Sequence, residues 1–254
     1  MFFIDLNYRQ QATFCKKKQF AYFHKMDTPT PTYPNKPSNI TLFTGIAITL
    51  LWLIFFDFWL GHMQIAYYDK LFYSRFIYWG LALILLFYSL KVERQPLLWK
   101  EENNTIGFFL LSVLALYVLS ITAAIISAIP ALFGEHENNA MMKKIIAMIT
   151  GHQAMIFFIA LTAGVTEELI FRGYLLTRLS QWLKNNVAAV LVSSLLFAAL
   201  HYRYGSLREL IFTFLIGVLF SNYYIRYRNI KAIIVTHFLI DYINMNIATH
   251  LKLK

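Results

Sequence analysis

The chain holds a single cysteine, Cys15, which excludes an internal disulfide and any cysteine-built metal cluster. Charge is scarce as well: 14% of the 254 residues are charged, where a soluble domain carries about a quarter. Acidic side chains are the rarer sign, 13 against 23 Lys and Arg, leaving a net charge of +10 and a pI ≈ 9.6. A balance this basic raises the question of nucleic acid. The basic residues, however, cluster between apolar runs and are not interleaved with aromatics in a polar domain, so they read as topology signals and no nucleic-acid partner is expected. Strand-period alternation is missing, no internal repeat is visible, and the N-terminal stretch lacks the order of a secretory signal peptide.

Where charge is absent, apolar residues stand: 58% of the chain is hydrophobic and the mean hydropathy is +0.52. They form runs over roughly 40–60, 72–90, 106–133, 145–179, 187–202, 208–225 and 231–249. A span needs about 20 apolar residues. The fold class expected is all-α, a polytopic transmembrane helical bundle of about 7–8 spans. Residues 1–39, which hold Pro29, Pro31, Pro34 and Pro37, read as a polar, basic, disordered cytoplasmic tail, with Met26 as an alternative start. Residues 40–254 read as the membrane domain. The fourth run exceeds one straight span and is expected either to tilt or to break near Gly164. The Lys and Arg bias between runs favours a cytoplasmic N-terminus in a plasma or inner membrane. The lipid bilayer is thus one expected partner.

Charges inside membrane helices cost about 2.5–3.5 kcal/mol each on insertion scales and usually mark function. Three places carry them: Thr166–Glu167–Glu168–Leu169–Ile170–Phe171–Arg172–Gly173, Phe197–Ala198–Ala199–Leu200–His201, and His237–Phe238–Leu239–Ile240–Asp241. Glu168 and Arg172 are four apart with the acid first, the favoured order for a helix ion pair. Glu167 points about 100° away and lacks that partner. Phe197 and His201 share one helix face, as do His237 and Asp241. At about 1.5 Å of rise per residue, the ionisable groups fall within roughly two to three turns around mid-membrane. The bland alternatives are a buried ion pair and helix–helix hydrogen bonds through lone histidines; six such residues at comparable depth on three runs weigh against them. Asp57 reads as an interfacial carboxylate, and Glu135, His136 and Glu137 as a solvated loop.

These three motifs, in this order and spacing, resemble the CPBP family of intramembrane proteases, which groups type II CAAX prenyl proteases with bacteriocin-processing and self-immunity, abortive-infection-like proteins. The resemblance covers about 145–249. It implies an intramembrane endopeptidase acting on a membrane-embedded or membrane-adjacent peptide. Glu167 would act as general base for a water, assisted by His201. His237 and Asp241 would support the oxyanion or complete the polar cage, with Glu168 and Arg172 as scaffold and Phe197 as motif support. Family members carry Asn or Asp at the position of Asp241; an ionised Asp accepts but does not donate hydrogen bonds, so its role differs from that of an amide. Glu167, His201, His237 and Asp241 also offer ligands for one divalent metal such as zinc, although the zinc-protease helix motif His-Glu-x-x-His is absent. The same residues serve a metal-free glutamate mechanism, the reading slightly preferred. A non-catalytic immunity or scaffold protein using the same pocket is the second reading. A proton-coupled carrier is the third.

Overall fold

Local capping signals explain where the helices begin. The side chains of Ser38, Thr105, Asn185, Ser206 and Asn229 each accept a backbone N–H three residues on, satisfying donors that a helix start leaves open. The computed structural model describes residues 37–103, 105–134 and 140–251. The expected tail up to residue 36, the loop with Glu135, His136 and Glu137, and the side chain of Asp57 lie outside the described residues. The helices are α1 (Asn39–His62), α2 (Tyr67–Lys91), α3 (Ile106–Ser127), α4 (Ala140–Ile149), α5 (Gln153–Glu168), α6 (Thr177–Leu183), α7 (Asn186–Leu200), α8 (Leu207–Tyr227) and α9 (Ile230–His250). Short 3₁₀ turns follow α3 and α7, and a π-helical stretch, Leu169–Leu176, joins α5 to α6. Among the described residues there is no strand, and seven helical stretches are long and apolar enough to cross a membrane.

The fourth apolar run is where structure and expectation part. It does break, but at Gly151, whose φ of +83° a side chain would resist. The piece before the break is the short α4, which buries Ile145, Ile146 and Ile149 along one side. The piece after it, Gln153–Leu183, is one continuous span and the most enclosed of the seven. There is no break at Gly164. That glycine marks a close approach: a Cβ there would lie 3.0 Å from the backbone N of Phe238 and 3.2 Å from the carbonyl O of Ile234. Small residues let membrane helices approach backbone to backbone, and this one seats α9 against α5 beside His237.

Lipid-type surface and interior divide cleanly. Ile54, Leu111, Leu114 and Ile125 point outward, while Phe171, Tyr174, Leu175, Phe220 and Ile233 fill the middle. Interior hydroxyls turn back on their own helix, as Thr49, Thr162, Thr166 and Thr236 do toward the carbonyl four residues earlier; away from water a polar group must be satisfied internally. The segment after α2 also folds inward. Leu97 and Trp99 are buried, and the Trp99 ring stacks on Tyr224 while the Trp99 backbone N–H donates to the Tyr224 hydroxyl at 3.0 Å. Beneath it Arg178 holds Glu93 through Nε at 2.9 Å and Nη2 at 2.7 Å, and Tyr174 donates to the same carboxylate at 2.8 Å. Both charges of this pair are wholly enclosed.

Candidate functional site

Glu167 and Glu168 close α5, and the next eight residues run as a π-helix. Such stretches are uncommon and concentrate at functional sites. Glu168 is fully buried. One of its oxygens, Oε1, accepts from Arg172 Nη1 at 2.7 Å and from His237 Nδ1 at 2.7 Å. The rest of the Arg172 guanidinium has no hydrogen-bond partner among the described residues. It lies over the rings of Phe197 and Phe220 instead, 4.4 and 5.4 Å from their centroids, where the aromatic faces attract the cation.

His237 spans two carboxylates. Its Nδ1 donates to Glu168, and its Nε2 faces Asp241 Oδ2 at 3.5 Å across one turn of α9. The sequence divided the ionisable residues into a scaffold pair and a reactive set. The tertiary structure joins them through this imidazole, because α9 packs directly on α5 at Gly164.

Glu167 is also less isolated than its helix spacing suggests. Its carboxylate, about one-tenth exposed, sits 3.7 Å from Arg75 Nη1 of α2. This is a charged neighbour that α5 itself does not supply. His201 caps the C-terminal end of α7, with Nδ1 3.0 Å from the carbonyl of Phe197. A carbonyl only accepts, so Nδ1 carries the proton and Nε2 of the neutral ring keeps its lone pair. Phe197 is the hub of the motif residues, its ring meeting Phe171, His201 and His237 as well as Arg172. Tyr204, one turn past His201, stacks toward that imidazole at 5.6 Å and lies in electrostatic reach of Arg75, Glu167 and Asp241.

Among the described residues, no three His, Cys, Asp or Glu side chains are grouped so as to hold a metal ion. The two nitrogens of His237 both face carboxylates, so the set Glu167, His201, His237 and Asp241 does not fit a resident metal as arranged. Two groups went unnoticed in the sequence as parts of an interior. Arg75 interrupts the apolar stretch from Leu71 to Trp79. Glu93 lies between the second and third apolar runs and Arg178 near the end of the fourth, yet they pair inside the bundle.

A multi-pass helical bundle with carboxylates and imidazoles gathered between its spans is the class defined by this fold and site. Residues 150–243 match the family model described as type II CAAX prenyl endopeptidase, Rce1-like. The match takes in all three motifs, from Glu167 to Asp241, and leaves out α1 to α4. Over that segment the chain is similar to type II CAAX prenyl endopeptidases. No curated protein and no solved structure matches the chain.

Proposed function

We propose that the protein is an intramembrane endopeptidase that hydrolyses a peptide bond of a membrane-embedded or membrane-adjacent substrate. The observation carrying this reading is the 2.7 Å hydrogen bond from His237 to Glu168. It ties residues 69 apart in sequence within the segment that matches the endopeptidase family, and so joins the first and third motifs, while the Phe197 ring against Arg172 and His237 brings in the second.

Glu167 takes a proton from water, and the water oxygen attacks the carbonyl carbon of the scissile bond. His201, with its Nε2 lone pair, helps to orient and polarise that water. The carbonyl π pair moves onto oxygen. When the tetrahedral centre collapses, the C–N bond breaks and the proton held by Glu167 passes to the leaving nitrogen, giving a carboxylic acid and an amine. Glu168 and Arg172 hold the motif helix and, through Nδ1, the His237 ring. Asp241, a carboxylate 3.5 Å from Nε2, faces His237 and helps to orient its ring. The partners of His237 support chemistry based on glutamate without a resident metal. Purified active protein that held stoichiometric zinc, and lost both zinc and activity to a chelator, would overturn that part.

Comparative membrane proteomics of wild-type and Glu167→Ala cells tests the reading. The expected result is at least one membrane peptide that accumulates uncleaved in the variant, and likewise in His201→Ala. Identical peptide profiles with folded variant protein, together with a cellular phenotype that survives Glu167→Ala, would favour a non-catalytic immunity or scaffold role instead.

A further inference from the structure

Hydrolysis by attack of water places negative charge on the former carbonyl oxygen, and a dry site must supply donors aimed at it. The motif residues leave that place unfilled. Arg172 has Nη1 on Glu168 and its face against Phe197 and Phe220, and at 1% exposure its unpartnered Nε and Nη2 are enclosed away from an entering substrate. The nitrogens of His237 both face carboxylates. Nδ1 of His201 is committed to the Phe197 carbonyl, and an ionised Asp241 has no proton to give.

One cation beside Glu167 has donors to spare. The Nε of Arg75 donates to Ser74 Oγ at 3.2 Å, and its guanidinium lies 5.2 Å from the ring centroid of Tyr78. Its Nη1 stands 3.7 Å from Glu167 Oε1, too far for a hydrogen bond. Among the described residues, none of its four Nη protons has an acceptor at hydrogen-bond distance. The side chain is 12% exposed, so water screens it little. A water held by Glu167 attacks a carbon whose oxygen lies one bond farther on. Donors poised beyond hydrogen-bond contact with the base are therefore at the right remove for that oxygen and not for the water.

We infer that Arg75, carried by α2 outside the family-matched segment, is a catalytic residue that donates to the tetrahedral oxyanion, the task that a carboxylate at position 241 does not perform. This inference rests on the endopeptidase reading above. In the resting site Arg75 balances Glu167. As the proton reaches Glu167 and neutralises it, the negative charge moves to the substrate oxygen, and the guanidinium follows the charge without leaving its seat over Tyr78.

The test uses full-length protein in proteoliposomes and, as probe, the peptide that accumulates uncleaved in Glu167→Ala membranes. Arg75→Gln is expected to lower kcat about 10²–10³-fold, the range for losing an oxyanion donor, while KM stays within about threefold, because the interaction exists only in the transition state. A phosphinate isostere of the same peptide, whose oxygens mimic the tetrahedral centre, is expected to bind Arg75→Gln about 100-fold more weakly than wild type. The intact peptide is expected to bind Glu167→Ala and the Glu167→Ala/Arg75→Gln double variant alike. A merely structural Arg75 would weaken both ligands together, and that result overturns the inference. Should Arg75→Gln fail to fold, Arg75→Lys carries the test: a roughly tenfold loss of kcat at constant KM is expected, and wild-type kcat overturns the inference. If no peptide accumulates in Glu167→Ala membranes, the endopeptidase reading has failed and this inference falls with it. If one accumulates but Arg75→Gln cleaves it at wild-type kcat, only the role of Arg75 is overturned.

Discussion

His237 and Arg172 donate to the same oxygen of Glu168, each at 2.7 Å, so one buried carboxylate fastens both the π-helical stretch of the motif span and the last helix. The shared acceptor makes the scaffold pair and the reactive histidine a single mechanical unit.

Glu168→Ala should therefore be among the most damaging single changes. It leaves the Arg172 guanidinium buried without a counter-charge, a loss of about 3–5 kcal/mol. Thermal unfolding in detergent measures it. A Glu168→Met/Arg172→Met double variant should recover most of that stability, since apolar replacement of a whole buried pair is often neutral. It should remain inactive in peptide cleavage, because His237 has lost its acceptor.

Gly164→Ala is expected to harm cleavage more than stability. The added Cβ meets Phe238 N at 3.0 Å and Ile234 O at 3.2 Å, so α9 must shift by a few tenths of an ångström at the turn that carries His237. Overpacking of this kind costs about 1–3 kcal/mol. Gly107→Ala is the control: nothing lies within 4 Å of a Cβ there, and its unfolding temperature and cleavage rate should match or slightly exceed wild type.

The Glu93–Arg178 pair predicts the opposite split. It lies with the segment after α2, and none of the motif residues is among its hydrogen-bond partners. Glu93→Ala should lower stability by about 3–5 kcal/mol while each folded molecule cleaves at the wild-type rate, measured by normalising activity to the folded fraction. Tyr174→Phe, which removes only the 2.8 Å hydroxyl bond to Glu93, should cost about 1–2 kcal/mol.

Phe197→Leu keeps the apolar volume near the site but removes the ring under Arg172. A desolvated cation–π contact is worth about 2 kcal/mol, so the melting temperature should fall. Phe197→Tyr, which keeps a ring face toward the guanidinium, should hold more of the stability. If the leucine variant melts like wild type, the ring is not what holds the cation.

Much of the local arrangement was legible in the sequence. Glu168–Arg172 and His237–Asp241 are each four apart on one helix, and helical periodicity alone brings such side chains together. The spans follow from the apolar runs, although neither a tilt nor a break near Gly164 describes the fourth run, which turns at Gly151, because a glycine in a membrane helix serves equally as a turn or as a contact surface. The π-helix after Glu168 has no residue signature that marks it.

What the sequence by itself determined was the membrane class, the seven apolar runs and the three motifs, for these depend on composition and on spacing within one helix. Only the tertiary structure decided which faces meet. It joined His237 to Glu168, brought Arg75 to Glu167 and closed Glu93 onto Arg178. The physical reason is that apolar helix faces in a bilayer look alike whether they touch lipid or protein. Which polar groups end up opposite one another is settled by close packing at points such as Gly164, not by the run of residues that carries them.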